Sequence, residues 1–163
     1  MTIAMISTSF VILTTRLDAI LSHPMVYPCV LLVHTDIAAL SRVADQIEEH
    51  YGWPRLSVGS RLSQELLPVL PKHRPRSTQR IMQDLVGSFA PGPILWVDVD
   101  LLFEPSLALD PLKLMKDCSR QAPAVVMWPG TYENRALSYA VPEHAHYRTW
   151  SQPDLCSQCI ITL

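Results

Sequence analysis

Apolar and polar positions along this chain fall into blocks of two kinds. Phe10, Leu13, Leu17, Ile20 and Leu21 recur at steps of three and four, the spacing of one helix face, and Pro24 closes the stripe. Cys29 to Val33 is apolar without alternation, which predicts a strand buried on both sides. Thr35 or Asp36 can cap the helix that follows, whose inner side is Ile37, Leu40, Ala44, Ile47 and Tyr51. Gly52 ends it and Pro54 prevents a restart. Arg55 to Val58 predicts a short strand, and Ser60 to Val69 a helix with Leu62, Leu66 and Val69 inward. Pro71 to Arg76 is a basic turn, PKHRPR, before a strong helical stripe of Ile81, Met82, Leu85, Val86 and Phe89.

The second half repeats the scheme. APGP breaks the helix, and Ile94 to Val97 is another apolar run, ending at Asp98 and Asp100. DPLKLMKDCSRQ has the form of a proline-initiated helix, with Leu112, Met115 and Cys118 inward. Ala124 to Trp128 is the next buried strand, closed by a turn at Pro129 and Gly130, and Leu137 to Val141 is a weaker strand. The remainder shows no period. Strands alternating with helices, with continuously apolar central strands, predict a three-layer α/β fold with a mainly parallel sheet. One domain is expected over residues 1–150, N-terminal helix included, with a tail over 151–163.

Composition narrows the classes. Hydrophobic residues make up 48% of the 163 and charged residues 17%, against about 25% charged in ordinary soluble domains. That excludes a disordered chain and suggests a buried sheet, or a surface that expects a partner. The net charge of −2 argues against a strongly basic nucleic-acid binder, though not against a local patch. Glycine, with 5 residues against 14 prolines, is too scarce for a glycine-rich phosphate loop. Cys29 and Cys118 read as core thiols of a reducing compartment. The apolar stretch from Ile3 to Leu13 is too short for a membrane span and has no basic residue before it. No signal peptide or membrane contact is expected, and the cytoplasm is the expected location.

In open parallel sheets, ligands bind at the carboxyl ends of the strands. The first such end here is His34, Thr35, Asp36 and onward to Ser41, where a P-loop, G-x-x-x-x-G-K-S/T, would lie. In that alignment His34 and Ala39 stand at the glycines and Leu40 at the lysine. Ser41 alone fits, as a magnesium ligand. The plainer alternative makes Asp36 a helix cap and Leu40 a core residue. The second end is ILWVDVD, where Asp98 or Asp100 could organise magnesium as a Walker B acid does, or simply cap a loop. Asn134 and Arg135, after the WPG segment, are candidate phosphate sensors or exposed turn residues.

Three further groups have weaker chemistry. Cys156 and Cys159 form a lone C-x-x-C; zinc would need about two more ligands, and His144 and His146 are the nearby candidates. Two ordinary thiols, with no metal bound, is the plainer expectation. Lys72, His73, Arg74, Arg76 and Arg80 could meet phosphate, DNA or an acidic partner, or form a solvated turn. No Ser/His/Asp or Cys/His catalytic arrangement stands out, and no catalytic residue is assigned.

Three segments together resemble a known family. RLSVGSRLSQELLPVLPKHRP, ILWVDVDLLFEPSLALDPLKLMKDCSRQAPAVVMWPG and LSYAVPEHAHYR resemble the small P-loop proteins of the BrxF family, from type 3 BREX phage-defence systems. The likeness spans about residues 28–148. It implies a P-loop NTPase-like fold in a bacterial cytoplasm, working beside other BREX components that include a large ATPase, a methyltransferase and a phosphatase-like protein. Family members carry a P-loop after the first strand. This chain departs from it at His34, Ala39 and Leu40, while Asp98 and Asp100 match the acidic end of the Walker B-like strand. The expectation is an accessory or assembly subunit, able to form a homo-oligomer, that has lost ATP hydrolysis and needs no cofactor. The alternative is a nucleotide-binding protein or weak magnesium-dependent ATPase.

Overall fold

A computed structural model describes residues 2–163 and the side chains from Ser9 onward. The protein is a three-layer, P-loop NTPase-like α/β fold built on a mainly parallel sheet. Helix α1 (Thr2–Leu21) precedes β1 (Cys29–His34), α2 (Ile37–Tyr51), β2 (Arg55–Ser57), α3 (Val58–Leu66) and α4 (Arg74–Ser88). Then come β3 (Ile94–Val97), α5 (Pro111–Ser119), β4 (Ala124–Glu133), β5 (Ala136–Tyr139), β6 (Arg148–Ser151) and β7 (Ile160–Thr162). The parallel strands lie in the order β2-β3-β4-β1-β7, and β5 and β6 extend β4 as an antiparallel meander.

Both faces of the central strands are buried, as their unbroken apolar runs require. Cys29, Leu31 and Val33 of β1, with Ile94, Trp96, Val126 and Trp128, face the layer of α3, α4 and α5. Val30 and Leu32, with Leu95, Val125 and Met127, face α1 and α2. Asp36 caps α2 by accepting the Ala38 N–H at 2.9 Å, and Gly52 closes the helix in the left-handed region at φ 68°. Asp110 caps α5 in the same way, through the Lys113 N–H at 3.2 Å, with Pro111 at its first position.

Four expectations need correction. Helix α3 starts at Val58 and stops at Leu66, where a helix over Ser60–Val69 was expected. Val58 is fully buried as the first helical residue, the Asp98 carbonyl accepts the Gly59 N–H at 2.8 Å, and Pro68 cannot continue the ladder. PKHRPR is a 3-10 turn at Pro71–His73 and then the first turn of α4, since prolines suit first helical positions.

Pro129 and Gly130 do not close β4. The strand runs through them to Glu133. Pairing with β3 ends at Trp96 and Val126, so the missing N–H of Pro129 breaks no bond of that ladder. Beyond Gly130 the strand pairs with β5, so one strand joins the parallel sheet to the meander. The stretch 151–163, expected as a tail, completes the sheet: Ile160 and Ile161 of β7 pair in parallel with Leu31 and Leu32 and are buried. A three-residue strand carries too little pattern to be seen in sequence.

Gly130 is where the two sheets meet most closely. A Cβ there would overlap the carbonyl oxygen of Ser138, which also accepts the Trp128 indole N–H at 2.8 Å. Gly130→Ala should destabilise the protein by about 3 kcal/mol, as overpacking does, read from urea unfolding. Gly52→Ala, with open space around the glycine, should lose about 1 kcal/mol from the positive φ alone.

Candidate functional site

At the carboxyl edge of the sheet, α2, β2, β3 and β4 enclose a cleft of about 210 Å³. Its walls are mostly apolar, formed by Ile37, Leu40 and Ala44 of α2 with Val97 and Met127. Four polar side chains reach it: Ser41, Arg55, Asp98 and Asp100. Three of these were candidates from sequence, and the fold brings them together from segments almost 60 residues apart. Thr35, Asn134 and Arg135 do not line it, and His34 lies on a separate groove beside α1.

The connection from β1 to α2 is two residues long, Thr35 and Asp36. His34 folds back so that its Nδ1 accepts the Asp36 N–H at 2.8 Å, and the Asp36 carboxylate then accepts the Ala38 N–H. Amides that would face a phosphate in a P-loop are therefore bonded within the loop, and a carboxylate occupies the helix N-terminus. Leu40 is buried where the lysine would stand. Ser41 is exposed on the second turn of α2.

Asp98 is held in the left-handed region, φ 54°, directly after β3. Its carboxylate lies against the α-carbon of Gly59, so closely that any Cβ there would overlap it. Gly59 thus admits an acidic side chain to the first turn of α3, where the helix dipole favours negative charge. Asp100 points another way: its Oδ1 accepts the Tyr139 hydroxyl at 2.7 Å. Phe103 stacks on Tyr139 with ring centroids 3.7 Å apart and meets Trp128 edge-on, while Trp150 packs on Trp128. This aromatic cluster fixes the meander against the segment after β3.

Arg55 was not visible as a site residue. Its guanidinium bonds Asp45 at 2.7 Å and Glu48 at 2.9 Å, both on α2, and those bonds hold its pKa above the ordinary arginine value. The i,i+3 pair of acids on one helix face was the available signal. Asp98 and Asp100 line the cleft with this one guanidinium, whose charge Asp45 and Glu48 on α2 offset. The cleft is smaller than the roughly 300–1,000 Å³ of ordinary ligand pockets, and no lysine lines it.

The remaining candidates lie apart. Asn134 and Arg135 are the two central residues of the β4–β5 hairpin, at φ 51° and 64°, as a type I′ turn demands. They stand roughly 16 Å beyond Pro129 at the usual strand rise. Cys159 is buried with its Sγ 3.6 Å from the Met25 sulfur, and Cys156 is exposed. His144 and His146 lie instead beside Tyr139 and Glu104. Among the described residues no three His, Cys, Asp or Glu side chains group as metal ligands, and no helix is long and apolar enough to cross a membrane. Lys72, Arg76 and Arg80 are exposed on the 3-10 turn and α4, while Arg74 donates to the Val69 carbonyl at 3.1 Å.

Comparison of the chain with models of protein families, with curated proteins and with solved structures returned no match.

Burial pushes the Cys29 and Cys118 thiols up to about 12 and Cys159 up to about 11. Iodoacetamide at pH 8 should therefore modify Cys156 in the native protein, with the other three reacting after denaturation, as read by peptide mass spectrometry. Burial, and then the bond to Asp100, raises the Tyr139 phenol above its ordinary value. The neutral phenol is the form the fold favours, so its contribution is full below about pH 10 and is lost as pH rises beyond that. Tyr139→Phe should cost about 1 kcal/mol at pH 7, and the gap to wild type should narrow above pH 10 in urea titrations.

Proposed function

We propose that this chain is an accessory or assembly subunit, a P-loop-like domain that has lost ATP hydrolysis and acts through protein partners. One observation carries this reading: the two-residue β1–α2 connection, sealed by His34 and Asp36, stands where a phosphate cradle would be. The acidic surround of the cleft and the burial of Leu40 support it. The resemblance to the BrxF family supports other BREX components as the partners and bacterial antiviral defence as the setting. Cytoplasmic work accords with that resemblance and with four cysteines that form no disulfide.

A second reading is magnesium-dependent nucleotide binding, and one observation favours it: Ser41, Asp98 and Asp100 line the same cleft. Titration with a fluorescent ATP analogue, with and without magnesium, separates the two. The assembly reading expects no saturable binding up to millimolar nucleotide, and capture of the purified chain by reconstituted BREX components. Tight magnesium-dependent binding that Asp98→Asn abolishes would overturn it and establish the second reading.

A further inference from the structure

The charges of this chain are sorted between two surfaces. Between Glu65 and Asp84 there is no acidic residue, while Lys72, Arg74, Arg76 and Arg80 all fall there. Lys72, Arg76 and Arg80 are exposed and form no ion pair among the described residues. The same segment exposes Leu67 to 78% and Leu70 to 59%. Two bare leucines beside unpaired cations make an amphipathic strip with nothing of this chain upon it. On the other surface is the cleft, apolar within and bordered by Ile37 at 64% exposure, with Asp98 and Asp100 in its lining and with its single Arg55 paired to both Asp45 and Glu48, so that acidic groups exceed cations there. Its volume suits aliphatic side chains better than a nucleotide.

The α2 wall of the cleft and the basic segment pack in opposite layers. Leu40, Ala44 and Met127 of the cleft pack in the α1–α2 layer, whereas Leu62, Leu66 and Val69, which anchor the basic segment, pack in the α3–α5 layer. The basic segment of a subunit packs through Leu62, Leu66 and Val69 on its own core and does not line its own cleft, whereas a second copy can present one to it.

We propose that this protein associates with itself head to tail, the Leu67–Arg80 segment of one copy seated on the acidic, apolar cleft of the next. The contact is heterologous, since different surfaces meet, so it leaves one free surface of each kind and propagates into a ring or an open filament. Apolar contact supplies the affinity, and charge complementarity sets the orientation. The proposal rests on the reading of the cleft as a protein-binding surface, and it names one occupant of it.

Two complementary variants test it. Leu67→Glu with Arg76→Glu spoils the segment and leaves the cleft, while Ser41→Arg fills the cleft and leaves the segment. All three positions are exposed, so folding should survive, and circular dichroism checks that it does. Light scattering of the wild type should show mass rising with concentration above the 18.3 kDa monomer and falling back as salt is added. Each variant alone should associate about tenfold or more weakly. An equimolar mixture of the two should form a 1:1 dimer and nothing larger, because it retains one competent contact. A wild type that stays monomeric, a mixture that gives no dimer, or association that survives in both variants would overturn the proposal. A monomeric wild type that shifts duplex DNA, with the shift lost in the Leu67→Glu, Arg76→Glu variant, would assign the segment to DNA instead. Tight nucleotide binding beside intact self-association would sink the functional reading above and leave this contact standing.

Discussion

Six consecutive residue pairs, from Cys29 with Ala124 to His34 with Pro129, hold β1 parallel to β4, and every apolar residue in that ladder is buried. Burial on both faces forces a layer of helices onto each side, so the rest of the molecule is arranged around this pair. β3 adds beyond β4, β2 beyond β3, and β7 beyond β1. The carboxyl ends of the strands then converge on one edge. Whatever the protein does with that edge is done with the short loops that leave it.

Those loops are closed rather than open. The Asp36 cap and the folded-back His34 use backbone amides that a phosphate would need. Asp98 sits at the first turn of α3, on space that Gly59 leaves by having no side chain. Asp100 is turned toward Tyr139 and the aromatic cluster of the meander. Asp36 and Asp100 thus each accept a local hydrogen bond, and Asp98 and Asp100 bring acidic groups to the lining of an apolar cleft.

β4 ties the two halves of the structure together. Its first half lies between β1 and β3, and its second half departs with β5. Pro129 and Gly130 mark the change of neighbours. The proline falls where the β3 ladder has ended, and the glycine permits the Ser138 carbonyl to approach. The aromatic residues of the meander then pack back on Phe103, so the extension is rigid against the sheet rather than a free arm.

The sequence by itself determined the elements with strong periodicity and strong stops. β1, α2 with its Asp36 cap and Gly52 terminus, β3 and α5 all stand within two residues of where the hydrophobic pattern sets them. Local pattern suffices there because burial, capping and helix stops act within a few residues. Of the site, Ser41, Asp98 and Asp100 were legible as the polar ends of apolar segments, yet their meeting in one cleft was not. Only the tertiary structure decided that Pro129 and Gly130 continue a strand, that Ile160–Thr162 completes the sheet, and that Arg55 turns to α2. The two strands depend on β1, far away in the chain, and a pairing at long sequence separation leaves no period in the residues that make it. Arg55 meets acids only seven and ten residues before it, but a side-chain contact across a helix end and a turn leaves no period either.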